Sequence, residues 1–348
     1  LEFVNIASNN PDNSTAMPGD QVTLTVHSNE ALQTLILVNT NDTVESFTQV
    51  GTDGKHWVYS REVLPGETGA VDFRLSFMDL VGNTGIEVTQ TTDQSSVEMD
   101  TTLPEILNDN ITSTNEDSNW GRFGDNITLS FSTSEAIQDP SDNITIEGLT
   151  GIVVVGNDNK TEWTATGQVA SNATGMANYS ISVQDLTGNV ANPVTSSTSI
   201  NLDTGPPFLS NVVLSTTNNT NTSYAKAGDN LTLIFDSSEY VETPVVTLAG
   251  DNLSLQDTSS GAGASWRAVY TVQDGDNGTV AFSIQYQDPA GNTDDNVTTT
   301  VSGNQITMDT SKPTVVPSSV TISSSNSRPA IQGLKLAKQG DVITLDFD

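Results

Sequence analysis

Short alternations of apolar and polar residues run the length of the chain with a period of two. Ile127, Leu129 and Phe131 alternate with Asn126, Thr128 and Ser130, the pattern of a strand with one buried face. Tyr179, Ile181 and Val183 show it again, as do Val71, Phe73, Leu75 and Phe77, and then Val280, Phe282, Ile284 and Tyr286. Between the aspartates at 100 and 203 the alternation predicts strands near 105–110, 125–132, 143–149, 152–156, 162–169, 177–184 and 194–202. Seven short strands in about 100 residues predict an all-β, immunoglobulin-like sandwich.

The pattern recurs. Gly-Asp followed by an apolar alternation opens "GDQVTLTV" at Gly19, "GDNITLSF" at Gly124, "GDNLTLIF" at Gly228 and "GDVITLDF" at Gly340. A tryptophan follows at Trp57, Trp163 and Trp266, expected in the core. A D-x-x-G-N turn begins 22 residues after each tryptophan, at Asp79, Asp185 and Asp288. An Asp-Thr pair comes next, at Asp100, Asp203 and Asp309, with Pro104, Pro206 and Pro313 just behind. Successive tryptophans lie 106 and 103 residues apart, too long for a solenoid repeat and right for an independent small domain. The expected organisation is a rod of tandem sandwiches at 1–99, 100–202 and 203–308. A fourth begins at 309–348 with its first two strands, to be completed by further sequence or by a strand from another chain.

Parity locates candidate chemistry. Two steps past Val183 on the sixth strand lies Asp185, and two steps past Thr133 on the second lies Glu135. Both carboxylates keep the core-facing parity just beyond the apolar run. Glu30 with Asp79, and Glu239 with Asp288, repeat the placement. In an Ig-like sandwich these strands run toward the end where the first strand of the same repeat enters from the incoming linker. The linker aspartates should arrive there too. The expected groups are Asp100, Glu135, Asp185 and Asp203, Glu239, Asp288, with Asp309 opening the next. Three converging carboxylates repel unless protonated or bridged by a cation, and flexible all-oxygen ligation favours Ca²⁺ over Mg²⁺. A capped turn, with Asp accepting backbone N–H bonds and Gly left-handed, accounts for D-x-x-G-N without metal. It leaves the glutamates and the linker aspartates unexplained.

Composition narrows the partners. The 348 residues carry 43 acidic and 11 basic side chains, a formal charge of −32. That excludes phosphate neutralisation by clustered Lys and Arg, and hence nucleic acid. It fits solubility or adaptation to salt, or carboxylates gathered to hold cations. There is no cysteine, so neither disulfides nor thiolate metal sites form. No apolar run approaches the roughly 20 residues of a membrane span, so no membrane insertion is expected. The chain opens on Leu1 without a charged or apolar leader segment, so a signal peptide, if there was one, is expected to lie outside this sequence.

The D-x-x-G-N … D-T-x-x-P pattern resembles the tandem bacterial and archaeal Ig-like (Big-type) repeats of large cell-surface proteins such as adhesins, surface-layer and filament proteins. The resemblance runs the whole chain. It implies a cell-surface location and calcium ligands among the acidic residues at domain junctions. "DTTLP" at Asp100 matches the pattern closely, whereas "DTGPP" at Asp203 and "DTSKP" at Asp309 depart from it. The ligand role therefore carries over most directly to Asp100 and Asp185. The tryptophan stands on the fifth predicted strand, not the third as in antibody domains.

Fourteen N-x-S/T sequons occur, at Asn13, Asn41, Asn110, Asn126, Asn143, Asn159, Asn172, Asn178, Asn218, Asn221, Asn230, Asn252, Asn277 and Asn296. Asn126 and Asn178 sit at outward parity, and Asn110, Asn143, Asn230, Asn252 and Asn296 are further candidates for a glycan coat in an archaeal or eukaryotic source.

No enzyme is expected. The two histidines, His27 and His56, both fall in the first repeat and serve no repeated site. No nucleophile–base arrangement or phosphate loop is present. Paired carboxylates could be read as a glycosidase pair, but three copies of a structural joint fit better than three active sites. The leading expectation is a structural segment of a self-assembling surface layer, filament or pilus-like fibre that partners itself. The alternative is the rigid stalk of an adhesin whose ligand-binding domain lies elsewhere. The repeats diverge outside core and junction positions, which favours assembly.

Overall fold

The computed structural model describes residues 1–39, 44–260, 263–302, 304–331 and 333–347. Apart from two single-turn 3-10 segments, Ser141–Asn143 and Pro317–Ser319, the regular structure of these residues is all strand. The chain divides into two compact units. One comprises residues 1–205 with 290–292, and the other 206–289 with 293–348.

The first unit contains two separate hydrophobic cores. In the second repeat a four-stranded sheet runs in the order Ile106–Ser113, Asn126–Thr133, Glu162–Val169, Leu149–Gly156. A three-stranded sheet of Ile144–Ile146, Tyr179–Ile181 and Val194–Thr195 closes the core from the other side. This four-plus-three partition is that of an Ig-type sandwich. The alternation explains it: Ile127, Leu129 and Phe131 are buried while Asn126, Thr128 and Ser130 are not. The first repeat is built likewise, with Phe3–Ser8, Gln21–His27, His56–Glu62 and Thr48–Val50 against Val44–Ser46, Leu32–Asn39 and Phe73–Asp79.

In the second unit Leu209–Thr216, Asn230–Ser237, Ser265–Thr271 and Leu255–Asp257 form the larger sheet. Asp251–Leu253, Val245–Leu248 and Phe282–Gln285 form the smaller. Phe235, Leu233 and Ile284 lie fully buried between them. Farther along, Thr321–Ser324 pairs antiparallel with Ile343–Asp346 and leaves Ile322, Ile343 and Leu345 exposed.

Two predicted strands differ. The seventh strand of the second repeat, expected as a continuous 194–202, is broken. Val194–Thr195 pairs with Tyr179–Ile181, whereas Asn201–Asp203 leaves that sheet. It pairs parallel with Trp120–Gly121 and antiparallel with Thr174–Met176. The polar run 196–199 has no apolar residue to hold it to either face, so the chain leaves the smaller sheet there and returns to the core only at Ile200, which is buried. The sixth strand, expected over 177–184, keeps ladder pairing only at Tyr179–Ile181, although Val183 stays buried.

The tryptophans lie on the fifth strand of the expected set and pack against their cores, Trp163 and Trp266 buried and Trp57 partly so. Each indole Nε1 donates to the backbone carbonyl three residues earlier: Gly54, Lys160 and Gly263, at 3.1, 3.1 and 3.3 Å. All three acceptor residues adopt a left-handed backbone, with φ of 68°, 55° and 60°. Burial of the ring requires a partner for its N–H, and the left-handed residue turns a carbonyl toward it.

Candidate metal centre

Where the two repeats of the first unit meet, three carboxylates come together. Asp100, Glu135 and Asp185 each place an oxygen within 4.8 Å of the other two. They come from the linker, from just past Asn126–Thr133 and from the turn after Tyr179–Ile181.

Each is aimed by a local device. Asp185 is buried and heads its turn. Its Oδ1 accepts from the backbone N–H of Gly188 at 2.6 Å and of Asn189 at 2.9 Å, and its Oδ2 accepts from Asn189 Nδ2 at 2.7 Å. Gly188 supplies the left-handed residue of the turn, at φ 112°. Asp100 accepts from Thr102 N–H through Oδ1 at 2.9 Å, an Asx turn that occupies one of its two oxygens. The Thr133 hydroxyl donates to the Glu135 carbonyl at 2.6 Å, fixing the backbone that carries the glutamate. Among the described residues no donor reaches the Glu135 carboxylate. Partial burial raises its pKa above the usual 4.5, and the charges of Asp100 and Asp185 raise it further.

The donor set fits a hard cation. Oxygens held at about 2.3–2.6 Å from Ca²⁺ can lie up to roughly 5 Å apart, which accommodates the trio. The unbonded glutamate and the second oxygen of Asp100 supply the negative charge such an ion needs.

The other expected ligands divide. Asp203 belongs to the first unit and makes the same Asx turn, accepting from Gly205 N–H at 3.0 Å. Glu239 and Asp288 belong to the second unit, where Asp288 is buried and Ser237 Oγ donates to the Glu239 carbonyl. Among the described residues Glu30 and Asp79 join no group of three carboxylates. Asp79 is satisfied by its own turn, with Asn83 donating to it from backbone and side chain; these bonds, the side-chain one first, lower its pKa. Asp309 is exposed and accepts from Ser311 N–H at 3.0 Å. The capped turn thus accounts for the linker aspartates as well as for D-x-x-G-N, and only Glu135 in the gathered trio stays without such a role.

Two sets of residues escaped the sequence reading. Asn189 Nδ2 also donates to the Asp100 carbonyl at 3.0 Å, and Asn292 Nδ2 to the Asp203 carbonyl at 3.0 Å. Asn10 Nδ2 donates to Asp20 at 2.8 Å and to the Thr187 carbonyl of the next repeat at 3.1 Å. Asn115 does the same with Asp125 and Ala290. The signal available was recurrence: an asparagine closes every D-x-x-G-N turn, and another stands ten residues before the aspartate of GDQVTL and of GDNITL.

Of the sequon candidates, Asn110, Asn126, Asn143, Asn178, Asn252 and Asn296 are exposed. Asn230 is half-buried, and its side-chain oxygen accepts from Thr271 Oγ1 at 2.8 Å. Asn41 lies outside the described residues.

No protein-family model matches the chain, and no curated protein matches it. Among solved structures it is similar to an I-band fragment of titin, at 9% identity and a TM-score of 0.44, over 89% of this chain and 98% of that one. A second titin tandem shows 10% identity and a TM-score of 0.32, over 88% and 100%. An endo-fucoidan hydrolase of glycoside hydrolase family 107 shows 13% identity and a TM-score of 0.20, over 88% of this chain and 44% of that one. The sheets and cores described above make this chain a tandem of all-β, Ig-like sandwiches.

Proposed function

We propose that the chain is a segment of a non-enzymatic, extracellular structural protein: a self-assembling cell-surface layer, filament or pilus-like fibre whose Ig-like repeats are stiffened by Ca²⁺ at their joints. The observation that carries this reading is the convergence of Asp100, Glu135 and Asp185 from three separate chain segments at one joint. An ion held there links the linker to two loops of the next sandwich and favours one arrangement over all others by mass action. The sequon asparagines on the surface are in position to carry glycan.

Assembly is favoured over an adhesin stalk by the surface of the second repeat. Val153 and Val155 are 61% and 59% exposed on Leu149–Gly156, an edge strand of its sheet. A stalk requires only polar outer faces, and an apolar edge invites pairing with another copy. Electron microscopy of native material tests the reading: a lattice or fibre is expected, and isolated rods would replace it with the stalk. Thermal unfolding with excess Ca²⁺ against EDTA tests the ion, and an unchanged midpoint would remove it from the proposal.

A further inference from the structure

The chain has two histidines, and the fold sets them directly opposite each other. His27 and His56 are register partners between Gln21–His27 and His56–Glu62. Their ring centroids are 4.4 Å apart at an interplanar angle of 74°. Val22, Leu24 and Val26 point into the core, so His27 projects from the outer face of the sheet, and its cross-strand partner shares that face. The His56 side chain is 45% exposed, leaving the pair open to solvent.

The rings are held from both sides. His56 Nδ1 lies 3.0 Å from Asp53 Oδ2, and Asp53 is itself anchored by the Lys55 N–H on Oδ1 at 3.0 Å. A carboxylate on Nδ1 keeps the proton there and leaves the lone pair on Nε2, the arrangement by which metal-ligating histidines are oriented. On the far side the Phe3 ring sits 5.2 Å from that of His27.

We propose that His27 and His56 form a site for a borderline transition-metal ion, Zn²⁺, Cu²⁺ or Ni²⁺, with Asp53 orienting His56 and water completing the coordination. Imidazole suits these ions, whereas carboxylate and water suit Ca²⁺, so the pair selects a different ion from the carboxylate joint. Two nitrogens bound to one ion at about 2.0–2.1 Å lie roughly 3–4 Å apart, within reach of rings centred as these are. The site is particular to the first repeat. The register-equivalent pairs are Ser132 with Glu162, and Asp236 with Ser265, the latter closed by a 2.7 Å hydrogen bond.

The test is calorimetric titration of the full chain with Zn²⁺ and with Ni²⁺ at neutral pH, in excess Ca²⁺ to occupy the carboxylates. One saturable equivalent is expected, with Ni²⁺ broadening the imidazole proton resonances of both histidines. His27→Gln and His56→Gln should each abolish the saturable phase while leaving the metal-free unfolding midpoint in place. Asp53→Asn should keep the site but weaken it about tenfold. Undiminished binding in either histidine variant, or no Ca²⁺-resistant binding in the parent chain, would overturn the proposal.

Discussion

The side-chain amide of Asn189 donates to the backbone carbonyl of Asp100 at 3.0 Å, across the joint between two sandwiches. The same nitrogen donates to Asp185 at 2.7 Å, so one buried amide ties the turn of one repeat to the linker that precedes it. Among the described residues Asn83, at the same place in the first repeat, serves only its own Asp79. Asn189→Ala should therefore cost about 1–3 kcal/mol by leaving buried acceptors unpaired, and Asn83→Ala clearly less. Urea unfolding of the two variants measures the difference.

If Ca²⁺ binds the trio as proposed, Glu135 should respond to it in the opposite sense from an ordinary surface glutamate. Without Ca²⁺, Glu135→Gln removes like-charge repulsion and should stabilise the joint by up to about 1 kcal/mol. With Ca²⁺ at a hundredfold excess over its dissociation constant the parent chain should gain about 2.7 kcal/mol, and the variant much less. The two unfolding curves, with and without the ion, should cross in order of stability.

Acidity provides a second handle on the same group. The folded-state pKa of Glu135 is raised above its ordinary 4.5, so the folded state binds its proton more tightly than the unfolded state does. Its contribution to stability is fully present below about 4.5 and is lost as pH rises through the raised folded value. In EDTA the advantage of Glu135→Gln should hold above that value and vanish below the unfolded one. Asp79 runs the other way: its lowered pKa gives a contribution present above 3.8 and lost as pH falls through the folded value. Unfolding midpoints across the acid range separate the two.

Left-handed residues beneath the tryptophans make a paired prediction. A Cβ on Gly263 would lie 2.6 Å from the Tyr240 ring and 3.0 Å from the Val241 carbonyl, at φ +60°. Gly263→Ala should destabilise by about 1–3 kcal/mol. Lys160 occupies the matching place at φ 55° without being glycine, and Lys160→Gly should gain up to about 1 kcal/mol, left-handed strain relieved less the extra entropy of glycine. Thermal unfolding of both variants decides it.

Much of this was legible in the residues. The period-two runs announce the strands, because a half-buried sheet imposes that period on any sequence. The gathering of Asp100, Glu135 and Asp185 followed from carrying strand parity two steps past the core. Parity says which way a side chain points and not what stands opposite, so Glu30 and Asp79 looked equivalent to their counterparts yet join no such trio among the described residues. The break after Thr195 was illegible for a related reason: the Ser and Thr of 196–199 offer no apolar member to assign that stretch to a face, and Ile200 alone does not reveal which sheet follows. The reach of Asn189 to Asp100 spans 89 positions, and nothing local encodes it.

The sheet change in the last strand of a repeat bears on how the chain responds to load. Asn201–Asp203 lies parallel to Trp120–Gly121, and the first repeat and the second unit do the same with Glu98–Met99 beside Thr15–Ala16 and Thr307–Asp309 beside Tyr224–Ala225. In each pair one strand lies near where the chain enters the sandwich and the other near where it leaves. Tension applied at the two ends drags parallel neighbours past each other along their length. Their hydrogen bonds are then strained together, in shear, and cannot be peeled open one by one as in an antiparallel hairpin pulled from its open end. Each sandwich is thus fastened at the place where pulling would begin to open it.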